Sequence, residues 1–227
     1  RSAATTATPR RRADESRTHR HRFGCVVIDP GPDVEHPALI AHWEELKANG
    51  ERAVEIAGSL TPSQLWERPQ PARWSVGECL DHLVLAADAY LEVLDEAITG
   101  ARRPEPASAA REPRPNVLER ILLHGLEPPA RIRVPAPARI RPRRPGSAVE
   151  PALTENGDPA DPRVRFQETR PDYARRLEAA EGLDLQGVKV RSPFVRWIHI
   201  SLDTAFRIVS GHERRHLTQA ERSLPGH

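Results

Sequence analysis

Apolar residues in the last third of the chain recur at alternating spacings of four and three, through Ile198, Leu202, Ala205 and Val209. His212, His216 and Gln219 continue the same stripe. This is the repeat of one face of an amphipathic helix, predicted from about Val195 to Leu224, with Pro225 and Gly226 as its stop. A first helix is predicted from Pro37, a favourable opening residue, with Leu39, Trp43, Leu46, Ala53, Ile56 and Leu60 on its apolar face. Gly50 weakens it, and Thr61-Pro62 signals a short new turn. The second helix has the clearest start, because Ser75 followed by Glu78 forms a capping box. It should run to about Ile98, with Gly100 as its stop. Cys79, Leu83, Ala86, Tyr90 and Leu94 then point inward, and Glu78, Asp81, Asp88, Glu92 and Asp95 form a solvated face. A third is predicted from Pro171 to Gly182, with Tyr173, Leu177 and Ala180 inward and Arg175, Arg176 and Glu178 outward; residues 184 to 192 read as an extended linker.

Four principal helices and no alternating strand run predict an all-α four-helix bundle. Residues 1–35 mix Ala, Thr, Arg, His and Pro without period and are expected to be a disordered or misassigned tail. Residues 36–227 carry the bundle. Within it, 101–165 hold 13 of the 23 prolines and read as an irregular Pro/Arg-rich crossover between the second and third helices. One short helix is expected there, around Val117, Leu118, Ile121 and Leu122.

Of 34 basic residues only Lys47 and Lys189 are lysine, an arginine and proline excess that GC-rich coding explains. No methionine occurs, which reads as a trimmed or miscalled start. A net charge of +2 does not argue for nucleic acid. Cys25 and Cys79 are too few for a disulfide framework, and the short apolar run Cys25–Ile28 cannot be a signal-peptide core. A cytoplasmic protein without a membrane span is expected.

Two imidazoles on a core stripe lose hydration and need a partner for each ring nitrogen. Residues four apart on a helix stack one turn above each other, close enough to converge on one ion. His82 lies between Cys79 and Ala86 at spacings of three and four, on the buried side of the second helix, and is the natural third ligand. Three protein ligands leave coordination positions open for water or substrate. Histidine-only ligation suits zinc, nickel, cobalt, iron or copper without selecting among them, and zinc or nickel is the expected ion. An isolated His82 also fits a hydrogen-bonded core role, and Cys79 fits a small core residue better than a fourth ligand. His42, His124 and His199 are expected in solvent or partly buried.

His212-Glu213-Arg214-Arg215-His216 also fits the H-E-x-x-H pattern of zinc proteases. The eleven residues that follow place no His or Glu at the usual spacing of a third ligand, so proteolysis remains a minor alternative. A binding alternative uses the basic run 131–144, with six arginines and no acid, for nucleic acid or an acidic partner. An irregular crossover is its commoner meaning.

Trp74-Ser75-Val76-Gly77-Glu78-Cys79-Leu80-Asp81-His82-Leu83, followed far downstream by Gly211-His212-Glu213-Arg214-Arg215-His216-Leu217-Thr218-Gln219-Ala220-Glu221-Arg222, resembles the DinB-like superfamily of bacterial metal-binding four-helix proteins. This is the damage-inducible family, distinct from the translesion polymerase that shares its name. The resemblance spans residues 36 to 224. It implies an up-down-down-up bundle, a long crossover between helices two and three, and a metal held by His82, His212 and His216. It further implies that homodimers are common, and that the activity is that of thiol-dependent S-transferases using low-molecular-weight thiols or of a mycothiol-dependent maleylpyruvate isomerase. The expected function is thiol-dependent transfer, or a related metal-assisted reaction, on a small molecule. Glu213 is a weak candidate for a general base, since its position turns it about 100° from His212. A bundle that has lost activity and keeps metal for stability is the remaining alternative.

Overall fold

The computed structural model describes residues 31–102, 111–126, 137–145 and 161–224. Most of the tail, residues 131–136 of the basic run and the stop signal Pro225-Gly226 lie outside the described residues. Helix α1 (Pro37–Ala57) opens on His36, whose Nδ1 accepts the backbone N–H of Ala38. It continues through Gly50 without a break. A Cβ at that position would lie 3.3 Å from both Arg170 Cδ and Gln167 Oε1, so the glycine lets a neighbouring helix close in. Thr61 and Gln64 then form a reciprocal capping box at the start of α2 (Pro62–Trp66). Helix α3 (Val76–Gly100) begins at the Ser75–Glu78 box read from the sequence. Gly77 permits α2 to sit against its first turn, since a Cβ there would meet the Trp66 ring at 2.9 Å.

Helix α4 (Val117–His124) and a single 3-10 turn (Ala138–Ile140) follow. Next come α5 (Pro162–Ala180), β1 (Lys189–Arg191), β2 (His199–Ser201) and α6 (Leu202–Glu221). The chain is predominantly helical, as its patterning predicts. Helices α1 and α3 each pack against both α5 and α6. Their apolar faces form two clusters. The larger joins Leu39, Leu46, Tyr90, Leu94, Tyr173, Leu177, Phe206 and Val209. The smaller joins Ala53, Ile56, Cys79, Leu80, Leu83, Phe166, Leu217 and Ala220.

A buried polar layer separates the two clusters. Asn49 falls between Leu46 and Ala53, Arg170 between Phe166 and Tyr173, and Glu213 between Val209 and Leu217. Arg170 donates to Glu213 through Nη1 (3.0 Å) and Nη2 (2.5 Å), and to the Leu46 carbonyl (2.8 Å). Asn49 donates to Glu213 (3.1 Å) and to the Ser210 carbonyl (3.0 Å). Nearer the other end of α1, His42 bonds to Asp203 at 2.8 Å.

Four expectations from the sequence need correction. Glu78 and Asp81 are not solvated: they are 1% and 3% exposed, because Arg68 and Arg143 reach them from outside the helix. The third helix starts at Pro162, capped by Asp161, rather than at Pro171, which lies inside it. Its first half turns polar side chains inward, including Thr169 and Arg170, so no apolar stripe announces it. The last helix starts at Leu202. Residues 199–201 instead pair antiparallel with 189–191, with Val190 opposite Ile200, a ladder too short to show alternation. His42, expected at the surface or half buried, is 3% exposed.

The residues that mark α4 also behave unexpectedly. Val117, Leu118 and Ile121 are exposed, while Glu119 is buried and accepts the backbone N–H of Ser201 at 2.6 Å. Residues 31–36, partly grouped with the tail by composition, are tied to α5 by Glu178 and Glu181, which accept the backbone N–H groups of Asp33, Glu35 and His36. Among the described residues no helix is long and apolar enough to cross a membrane.

Leu177 is fully buried in the larger cluster. Leu177→Ala is expected to lower the unfolding free energy by about 2–5 kcal/mol in urea titrations, the range for a truncated core leucine whose cavity closes only in part.

Candidate metal centre

His82, His212 and His216 each offer one ligand nitrogen, and the three lie within 4.8 Å of one another. His82 comes from the second turn of α3, where the capping box fixes the start of the helix. His212 and His216 come from α6, four residues apart and therefore on one face. The ring centroids are separated by 5.0 Å for His82–His212, 4.5 Å for His82–His216 and 4.6 Å for His212–His216.

The tautomers follow from the partners. A backbone carbonyl only accepts, so His82 Nδ1 carries a proton and donates it to the Ile140 carbonyl at 2.6 Å. His216 Nδ1 donates to Gln219 Oε1 at 3.1 Å. In both rings Nε2 is then the nitrogen with a free lone pair. The His82 and His212 Nε2 atoms are 3.2 Å apart. Two nitrogens bound to one ion at about 2.0–2.1 Å each stand roughly 3–3.5 Å apart, so this spacing fits a shared ion.

His82 is 2% exposed, and the other two are half buried. Burial is the main cause that lowers all three imidazole pKa values. For His212 burial, reinforced by His82 and by Arg215, pushes the value down to about 3. His216 falls well below its ordinary value for the same reason, helped by the other two histidines and Arg215. The rings are therefore neutral near pH 7, the form that ligates metal. Trp74 lies beside them, 4.9 Å from the His82 ring and stacked 5.7 Å from His216. Its backbone carbonyl accepts from Ser223 Oγ at 2.9 Å, which ties it to the end of α6.

Glu213 is not part of this cluster. It is 2% exposed, and both carboxylate oxygens are held by Arg170, with Asn49 also donating to one of them. A carboxylate so engaged across the core is a structural anchor, which removes the support that the H-E-x-x-H spacing gave to a protease. Cys79 is fully buried in the smaller cluster, and burial raises its thiol pKa, so it stays a neutral core residue. The described part of the basic run is also engaged: Arg139 pairs with Glu92 at 2.7 Å, and Arg143 with Asp81 at 2.8 Å.

Sequence reasoning identified all three clustered histidines, but not the groups that aim them. The Ile140 carbonyl belongs to the main chain and leaves no mark on residue type. Trp74 directly precedes the Ser75 cap, and nothing in the local sequence ties it to the histidines.

Two outcomes are expected. In the unfolded chain these imidazoles titrate near 6.5, whereas in the fold they titrate lower, so below pH 6.5 the unfolded state binds more protons. Stability of the metal-free protein should therefore be complete above about pH 6.5 and fall progressively toward pH 3 in urea titrations, with a smaller fall in His212→Gln. Removing Glu213 would leave a buried guanidinium uncompensated. Glu213→Leu should lower unfolding free energy by about 3–5 kcal/mol, and adding Arg170→Met should restore most of it.

A family model, the DinB superfamily, matches residues 45–220, a span that contains His82, His212, His216 and the polar layer between the two core clusters. No curated protein and no solved structure matches the chain. On the strength of the family match, this chain belongs to the DinB superfamily.

Proposed function

We propose that the protein is a metal-dependent small-molecule enzyme that holds a divalent transition metal, zinc or nickel first, on His82, His212 and His216. The convergence of three neutral imidazoles on one point carries this reading. Two of the rings have their Nδ1 protons bonded to oxygen acceptors, which presents Nε2 toward that point. The donor chemistry suits nitrogen-preferring metals. With three protein ligands, a bound metal would supply Lewis acidity at an open position and favour the thiolate form of a low-molecular-weight thiol at neutral pH.

The chain's own residues would contribute orientation and exclusion of water. His82, behind the 3-10 turn, forms the dry floor of the site, and Trp74 provides an apolar wall. Arg215 lies close enough to lower the pKa values of His212 and His216, and so sets a positive potential that favours an anionic ligand. Thiol-dependent transfer to a small acceptor is the reaction that this combination supports best.

In the same reading residues 36–227 form one up-down-down-up four-helix bundle, with 101–165 crossing between its second and third long helices. The protein acts in the cytoplasm as a homodimer. Nucleic acid is not a partner, in keeping with the ion pairs made by Arg139 and Arg143.

Elemental analysis after reconstitution should find about one zinc or nickel per chain in the wild type and little in His82→Ala or His216→Ala. At a free metal concentration a hundredfold above Kd, mass action adds about 2.7 kcal/mol and should raise Tm by roughly 5–10 °C. In the cobalt-substituted protein, adding a low-molecular-weight thiol should bring up a thiolate-to-cobalt charge-transfer band. Wild-type protein that retains no transition metal would refute the proposal, and a cobalt spectrum indifferent to thiols would refute the thiol-dependent part.

A further inference from the structure

Residues 137–145 lie against α3 beside the histidine cluster. Three contacts fasten this stretch. The Ile140 side chain is 3% exposed, and its carbonyl accepts from His82 Nδ1 at 2.6 Å. Arg143 grips Asp81, the residue next to His82, with its backbone N–H (2.6 Å), Nε (3.3 Å) and Nη2 (2.8 Å). Arg139 pairs with Glu92, about three turns further along the same helix.

We infer that this part of the Arg/Pro-rich segment is a positioning strap for the metal, with Ile140 and Arg143 as its working groups. The inference rests on the metal reading given above. An acceptor behind a ligating histidine fixes its tautomer and ring orientation and makes the ligand nitrogen more basic, and its loss commonly weakens metal binding 10–100-fold. Here that acceptor is supplied by a main-chain carbonyl at the end of the 3-10 turn Ala138–Ile140. Arg143, by holding Asp81 from both its backbone and its guanidinium, keeps the carbonyl in place.

The coupling runs in both directions. A cation on Nε2 draws electron density from the ring and strengthens the Nδ1–H bond to Ile140. Metal binding must then favour the docked strap by the same factor as the docked strap favours metal. Arg139 and Arg143 serve an intramolecular purpose here, pairing with Glu92 and Asp81 of α3.

The test uses the full chain. Metal affinity is measured by competition with a chromophoric chelator for wild type and Arg143→Ala, alongside the visible spectrum of the cobalt form. Arg143→Ala is expected to weaken affinity about 10–100-fold and to change the cobalt spectrum, while helical content stays that of wild type. A second measurement needs no variant. Trypsin can cut Arg139–Ile140 and Arg143–Arg144, whereas the bonds after Arg141 and Arg144 precede proline. Metal should slow cleavage at those two bonds in wild type by a similar factor and have no such effect in His216→Ala. Equal affinity and identical spectra in Arg143→Ala, or tryptic rates that ignore metal in a wild type shown to bind it, would overturn the strap alone. A wild type that binds no metal would overturn the metal reading and the strap with it.

Discussion

The arrangement of this protein depends on one buried ion pair. Arg170 of α5 and Glu213 of α6 meet in the core between two apolar clusters, and Asn49 of α1 completes the contact. A charge taken out of water is tolerated only where its partner is fixed, because the desolvation cost is recovered only through good geometry. Helices α1, α5 and α6 therefore cannot rotate about their axes independently. Glu213 follows His212 directly, and successive helical positions are turned about 100° apart. Holding Glu213 in the core thus also sets the direction in which His212 and His216 leave the helix. The same five residues that resemble a protease motif have their acid committed to the fold and their two bases turned toward α3.

The histidines were legible because they interrupt a stripe that would otherwise be apolar, and because the Ser75–Glu78 box fixes the register of the helix that carries His82. Leu177, Tyr173 and Ala180 were legible for the same reason, as apolar positions at helical spacing. What escaped was every buried charge. Glu78, Asp81, Glu119, Arg170, Asp203 and Glu213 look like surface residues in a linear pattern, and each is buried because a partner elsewhere in the chain or a backbone N–H satisfies it. Periodicity reports which side chains avoid water. It does not report which pairs can leave water together. The first half of α5 was missed on that ground, and a three-residue β-ladder lies below the length at which alternation can be recognised.

The arginine excess takes on a different meaning in this light. Coding bias is sufficient to explain why arginine replaces lysine, yet the fold uses the guanidinium in ways an ammonium would not match. Arg68 holds both oxygens of Glu78 and the Pro71 carbonyl, which ties down the loop that carries Trp74. Arg52 holds both oxygens of Glu221 and also Thr218. These are fork-shaped contacts with several donors in one plane, and a single point charge cannot reproduce them. The exposed pairs, such as Arg139–Glu92, contribute little on their own in water. The half-buried ones fix loops against helices, as Arg68 and Arg143 do, or one helix against another, as Arg52 does.

A histidine cluster assembled this way stands in tension with its own fold. Burial keeps all three imidazoles neutral, which removes proton competition at neutral pH but leaves ring nitrogens facing one another at short range. Between His82 and His212 one shared proton is the most that 3.2 Å accommodates. A lone pair left without a donor in the buried part of the cluster loses the hydration it had in the unfolded chain. That cost is carried by the rest of the protein, above all by the Arg170–Glu213 layer, which stops α6 from rolling to expose its histidines. A cation is the ligand that relieves it without moving any helix. The packing thus already holds the three imidazoles where the proposed cation would sit, and the acceptors beside His82 and His216 fix the tautomers of those two rings.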